Sequence, residues 1–120
     1  MKNFNQEGEV IPFTAGAALT SGQVVALGNV LGVACAAYAN GEAAELATEG
    51  VFTVPKVSGA VIAIGETLTW DASAAAFDDN AATPASGDIT GPAAFAFESA
   101  GNGVTSLKVR FTGVPGTRTA

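Results

Sequence analysis

Histidine is missing from this chain altogether. Without an imidazole, Ser-His-Asp and Cys-His nucleophilic schemes are excluded, and the commonest metal ligand is gone. Cysteine is almost missing: Cys35 stands alone, so neither an internal disulfide nor a thiolate zinc site can form. A fold without covalent staples fits a reducing compartment. Charge is scarce as well. Charged residues make up 13% of the 120, against about 25% in an average protein. The cations are scarcest, only Lys2, Lys56, Lys108, Arg110 and Arg118 against 11 acidic residues, for a net charge of −6. Five dispersed cations on an acidic chain exclude a nucleic-acid partner, because duplex binding relies on Lys and Arg neutralising phosphates. Long apolar runs are lacking too. The uncharged stretch from Val24 to Ala39 is shorter than the roughly 20 residues of a spanning helix and carries Gly28, Asn29 and Gly32, so no membrane partner is expected. The segment Met1 to Glu7 has no apolar signal-peptide core.

What is present is small and turn-rich. Apolar residues reach 48%, but alanine supplies 25 of them. The length predicts one domain, with about 65% of the unfolded surface buried. Gly, Thr and Val recur between closely spaced turn signals, the rhythm of an all-β domain. Strands are predicted at Val10 to Thr14, at Gln23 to Leu27 and at Val30 to Ala37, the last with a helical alternative. Glu42 to Lys56 reads as one long strand or a pair, with a bulge or bend at Gly50. Further strands are predicted at Val61 to Ile64 and Glu66 to Trp70. Gly28-Asn29 reads as a turn, and Asn40-Gly41 as the best hairpin signal. Ala72 to Ala76 reads as one helical turn, and Asp78 to Gly91 as a long surface loop. The final hairpin runs from Pro92 to Ser99 and from Val104 to Thr112. In its second strand Thr105, Leu107, Val109 and Phe111 alternate with Ser106, Lys108, Arg110 and Thr112. The organisation is an N-terminal arm (1–8), one β-rich domain (9–112, with a loop at 77–91) and a frayed C-terminal tail (113–120).

Few residues carry a chemical signal. No lysine lies in a phosphate-binding Gly-x4-Gly-Lys-Ser/Thr loop. Asp78, Asp79, Asn80 and Asp88 fall short of calcium-loop spacing, which Ala82 breaks, and read as a solvated turn. Glu42, Glu45, Glu49, Glu66 and Glu98 read as solvated faces rather than an acid–base pair. Catalytic, cofactor and metal residues are therefore none. Cys35, among Val33, Ala34 and Ala36, reads as a buried inert thiol. Trp70-Asp71 reads as a core aromatic followed by a turn residue. Phe95 and Phe97 share a strand face; core packing is the default, and an exposed pair marks an interface. Lys108 and Arg110 also share a face, either solvated or against an acidic neighbour. Ala93, Ala94 and Ala96 are small enough to allow close subunit approach.

Several ordered motifs form a distinctive series. They are Asn3-Phe4-Asn5-Gln6-Glu7-Gly8-Glu9-Val10-Ile11, Thr20-Ser21-Gly22-Gln23-Val24-Val25, Leu31-Gly32-Val33-Ala34, and the run from Gly41 to Phe52. Val54-Pro55-Lys56 and Gly65-Glu66-Thr67-Leu68-Thr69-Trp70-Asp71 complete it. In this order and spacing the chain resembles the capsid decoration, or cement, proteins of tailed bacteriophages, from about Lys2 to Phe111. Some members carry a recombinase-like label, which gains no support from an acidic chain without a nucleotide-binding motif. The stretch from Phe77 to Gly91 departs from the family pattern. The resemblance implies a compact β-barrel or sandwich, tulip-like, with short strands and little helix. It also implies a non-enzymatic protein without cofactor, bound to the major capsid protein on the outer surface of the virion and made in the bacterial cytoplasm. Self-association as a homotrimer is implied too. On that reading Lys2, Asn3, Phe4, Asn5 and Gln6 are candidate capsid-binding residues, ordered by the lattice as an added strand. Phe95, Phe97, Lys108 and Arg110 are candidate subunit-interface residues. The rival reading is a carbohydrate-binding or adhesive β-module that uses Trp70 or Tyr38.

Overall fold

A computed structural model describes residues 10–120. Within them the chain forms eleven short strands and no helix. They are β1 (Val10–Thr14), β2 (Val24–Leu27), β3 (Val30–Ala34), β4 (Ala43–Ala47), β5 (Glu49–Pro55) and β6 (Thr69–Asp71). The second half adds β7 (Ala76–Asp78), β8 (Ile89–Thr90), β9 (Ala94–Ala96), β10 (Ser106–Thr112) and β11 (Thr117–Arg118). They assemble as three sheets, ordered β1-β4-β3-β2, β5-β10-β9 and β11-β8-β6-β7. All pairings between named strands are antiparallel. The architecture is all-β, with one sheet curled as a half-barrel, as expected.

Alternation decides which residues go inside. On β10, Leu107, Val109 and Phe111 are buried, whereas Ser106 and Lys108 are exposed. Its neighbour β5 follows the same rule, with Val54 buried and Val51 and Thr53 outside. The sheets close on a chain of edge-on aromatics. Phe52 meets Phe111 at 5.8 Å, Phe111 meets Phe77 at 5.8 Å, and Phe77 meets Trp70 at 5.0 Å. Such contacts add about 0.5–1.5 kcal/mol each beyond the area they bury.

Several predicted elements change. Gly28-Asn29 does form the turn between Leu27 and Val30. Asn40-Gly41 also turns, with the Glu42 amide donating to the Ala39 carbonyl at 3.0 Å, but it joins no two-residue hairpin. Instead β3 ends at Ala34, and a bridge between Leu19 and Tyr38 fills the interval. The stretch from Glu42 to Lys56 forms a pair of strands, β4 and β5, as one of its two readings expects; they part at buried Thr48 rather than at Gly50, which keeps its register opposite Phe111. Val61 to Ile64 is no strand. The chain there follows the edge of β9 through isolated bridges, Ile62 to Ala100 and Thr67 to Phe95. Residues 72–75 form no helical turn; they are the loop of the β6–β7 hairpin, closed by Asp71 opposite Ala76. The predicted surface loop holds β8 and the end of β7, and its Phe77 and Ile89 are fully buried. The C-terminal segment is not an unpaired tail, because β11 pairs with β8.

Candidate functional site

The outward face of the β5-β10-β9 sheet collects the four residues singled out as interface candidates. Register places Arg110 between Val51 of β5 and Phe95 of β9, and Lys108 opposite Thr53. The Phe97 amide donates to the Lys108 carbonyl at 2.9 Å, which extends the same ladder by a step. Phe97 is 48% exposed and Val51 39%, a high exposure for large apolar side chains. Phe95 and Arg110 are half-buried. The Arg110 Nε–H donates to the carbonyl of Phe111 at 3.2 Å, which holds the guanidinium against its own strand. The Glu98 carboxylate accepts the Lys108 backbone N–H at 3.0 Å and borders the face. The core default for the phenylalanine pair therefore fails: it is Ala94 and Ala96 that point inward. Ala93, Ala94 and Ala96 are all buried, so they bring sheet layers close inside one protomer and present nothing to a neighbouring subunit. Lys2, Asn3, Phe4, Asn5 and Gln6 lie outside the described residues.

The carboxylates are occupied with backbone amides. Glu42 Oε1 accepts from Ala39 at 2.7 Å, and Glu66 accepts from Ala63 and Asn80 at 3.1 and 2.9 Å. Buried Asp88 accepts from Ala72 at 3.1 Å and Ala85 at 3.0 Å, tying the β6–β7 loop to the 79–88 segment. Asp71 Oδ1 takes the Ser73 hydroxyl at 2.8 Å and the amides of Ser73 and Ala74 at 3.1 and 3.2 Å. The Ser73 hydroxyl first, and the Ala74 amide next, hold the Asp71 carboxyl below its ordinary range. These acids stabilise turns. Among the described residues no group of three His, Cys, Asp or Glu is placed to hold a metal ion.

Three further residues stand differently from expectation. Cys35 is exposed, because β3 stops one residue earlier and the chain bends away from the core. Trp70 is only 6% exposed and Tyr38 half-buried, so neither offers the open ring face a sugar stacks on. Lys56 was missed as a structural residue. It is 3% exposed, and its ammonium donates to the carbonyls of Val57 at 2.8 Å, Val104 at 3.0 Å and Ser58 at 3.3 Å. The only sequence signal was its place after Pro55 at the end of an alternating strand. A cleft of about 370 Å³ lies between the 20–23 loop and Trp70, and a second of about 280 Å³ between Thr67 and Pro84.

An all-β chain whose acids cap turns, and whose most apolar exposed strand face also carries two cations, has the make-up of a structural binding protein. A family model described as phage cement protein matches residues 5–111, and the chain belongs to that family. No curated protein matches it.

Proposed function

We propose that this chain decorates the outside of a tailed-phage head and holds the mature lattice together as a homotrimer. The family match over residues 5–111 carries the reading, since a cement protein binds a phage capsid. The outward face of Phe95, Phe97, Lys108 and Arg110 supports the self-association part. Exposed aromatics beside cations are typical of interface cores and rims, and most of this chain's other ionic surface is acidic. The arm residues Lys2 to Gln6 are the proposed capsid contact. The mechanism is mass action. A protein that binds only subunits in their mature positions stabilises that arrangement by RT ln(1 + [L]/Kd), about 2.7 kcal/mol at a hundredfold excess over Kd. An acidic chain is suited to the exterior of the shell, away from packaged DNA.

The test is electron cryo-microscopy of particles assembled with and without the chain. Extra exterior density at local three-fold positions, one protomer per capsid-subunit contact, is expected. Particles that look the same in both preparations overturn the proposal.

A further inference from the structure

The cleft of about 370 Å³ is bounded by the 20–23 loop and Val24 on one side, and by Pro55, Trp70 and Ala75 on the other. Trp70 is its informative member. The ring is 94% buried by the 6% exposure given above, and it packs edge-on against Phe77 at 62°. No acceptor among the described residues takes a hydrogen bond from its indole N–H. A buried indole N–H normally finds a partner. Every fully enclosed side-chain nitrogen or oxygen among the described residues has one, so this N–H reaches solvent, and the cleft is the opening that Trp70 lines.

The second observation concerns β2. Among the described residues it is the edge strand of its sheet and pairs only with β3. Leu27 and Val30 close the two-residue turn, and the Gln23 carbonyl accepts the Ala34 amide at 2.8 Å. Residues 25 and 27, and the carbonyl of Gln23, thus turn toward β3. Antiparallel alternation then points the N–H and C=O of Val24 and Ala26 at the free edge. Val24 itself lines the cleft. An unpaired strand edge beside an unpaired, nearly buried N–H is a template for one more strand.

We propose that this cleft takes an extended segment of the capsid protein, added as a short strand to the free edge of β2, with one carbonyl oxygen accepting the Trp70 indole N–H. The proposal rests on the capsid-binding reading above. A peptide fits better than a sugar, because Trp70 is too buried to offer an open ring face, and the Val24 and Ala26 groups are spaced for a backbone. No residue lining the cleft is charged, so the inserted segment is uncharged there.

Trp70 is the chain's only tryptophan, so its fluorescence and its single indole N–H resonance report on the cleft. The probes are empty shells of the capsid protein and overlapping short peptides from it. One peptide is expected to shift the indole resonance. Ser21→Phe, at an exposed lining position, should fill the cleft mouth and lower shell occupancy by about tenfold or more at an unchanged Tm. Val24→Pro, which deletes an edge N–H that the fold does not use, should also lower occupancy, with a loss of Tm because Val24 is a buried core residue. Wild-type occupancy by Ser21→Phe overturns the proposal. So does a shift of the indole signal by a glycan, or by a peptide of this chain, in place of a capsid peptide. If the wild-type chain itself fails to bind shells, the capsid-binding reading falls first and this one with it.

Discussion

At the scale of single residues, Lys56 shows how a fold without disulfides can lock loops. Its three carbonyl partners come from the segment after β5 and from the loop before β10. Lys56→Met keeps the length and the apolar stem but leaves those carbonyls short of a donor. A loss of about 1–3 kcal/mol is expected in urea unfolding, because orphaned buried acceptors carry their full desolvation cost. An unchanged midpoint would show that water replaces the ammonium freely. Asp71 gives a pH dependence. Its carboxyl is depressed by the Ser73 hydroxyl and the Ala74 amide. Its contribution is therefore fully present above the unfolded value of about 3.9 and is lost as pH falls through the lower folded value. The stability gap between wild type and Asp71→Ala should close on acidification below pH ~4 and stay constant from about pH 5 to 7. Asp71 is legible in the sequence as a turn residue, but the role of Lys56 is not: it looks like any strand-end lysine. Cys35 reads as buried because its neighbours are apolar, although the strand ends just before it.

At the scale of elements, legibility follows the length of the alternating pattern. β1 and the β9–β10 hairpin emerge from runs long enough for period-two alternation, and the predicted faces of Leu107, Val109 and Phe111 are the buried ones. β7 and β8 escaped because each has one large apolar residue, Phe77 or Ile89, set among Asp, Asn, Ser and Pro. The strand character of β7 comes from the β6–β7 hairpin opposite Trp70, and that of β8 from partners distant in sequence, Trp70 and Arg118 opposite Ile89. β11 escaped for the same reason, and it is testable. A Cβ on Gly116 would sit 2.5 Å from the Thr90 carbonyl oxygen and 2.8 Å from an Ile89 methyl. Gly116→Ala should therefore push β11 off β8 at a cost of about 1–3 kcal/mol. Gly59→Ala, which meets nothing within 4 Å, is the control. Hydrogen exchange should speed up at Gly87 and Thr119, whose amides bind the Thr119 and Asp88 carbonyls across that junction.

At the scale of the whole molecule, the shortage of charge has two sources. Part of the alanine is interior: Ala15, Ala34, Ala44, Ala60, Ala76 and Ala100 are buried alongside the three before and within β9. Small side chains let short strands pack in thin layers, so this part of the alanine serves the interior. Another part is uncharged surface, some of it on the outward β5-β10-β9 face, where Val51 and Phe97 stay exposed on a protomer of net charge −6. That face was legible as a pair of alternating strands, but its polarity was not. Only the register, with Arg110 opposite Phe95, shows that phenylalanines and cations share one side. If this face joins protomers, the double variant Phe97→Ser/Lys108→Glu should lose self-association. Both side chains are exposed, so folding stability should move by no more than about 0.5 kcal/mol. Light scattering should report a trimer for the wild type and a monomer for the variant. Wild-type association should also weaken as salt rises, since a rim cation contributes through screened attraction. A variant that keeps the wild-type mass would place the subunit contact elsewhere and leave the exposed Phe97 face to the shell.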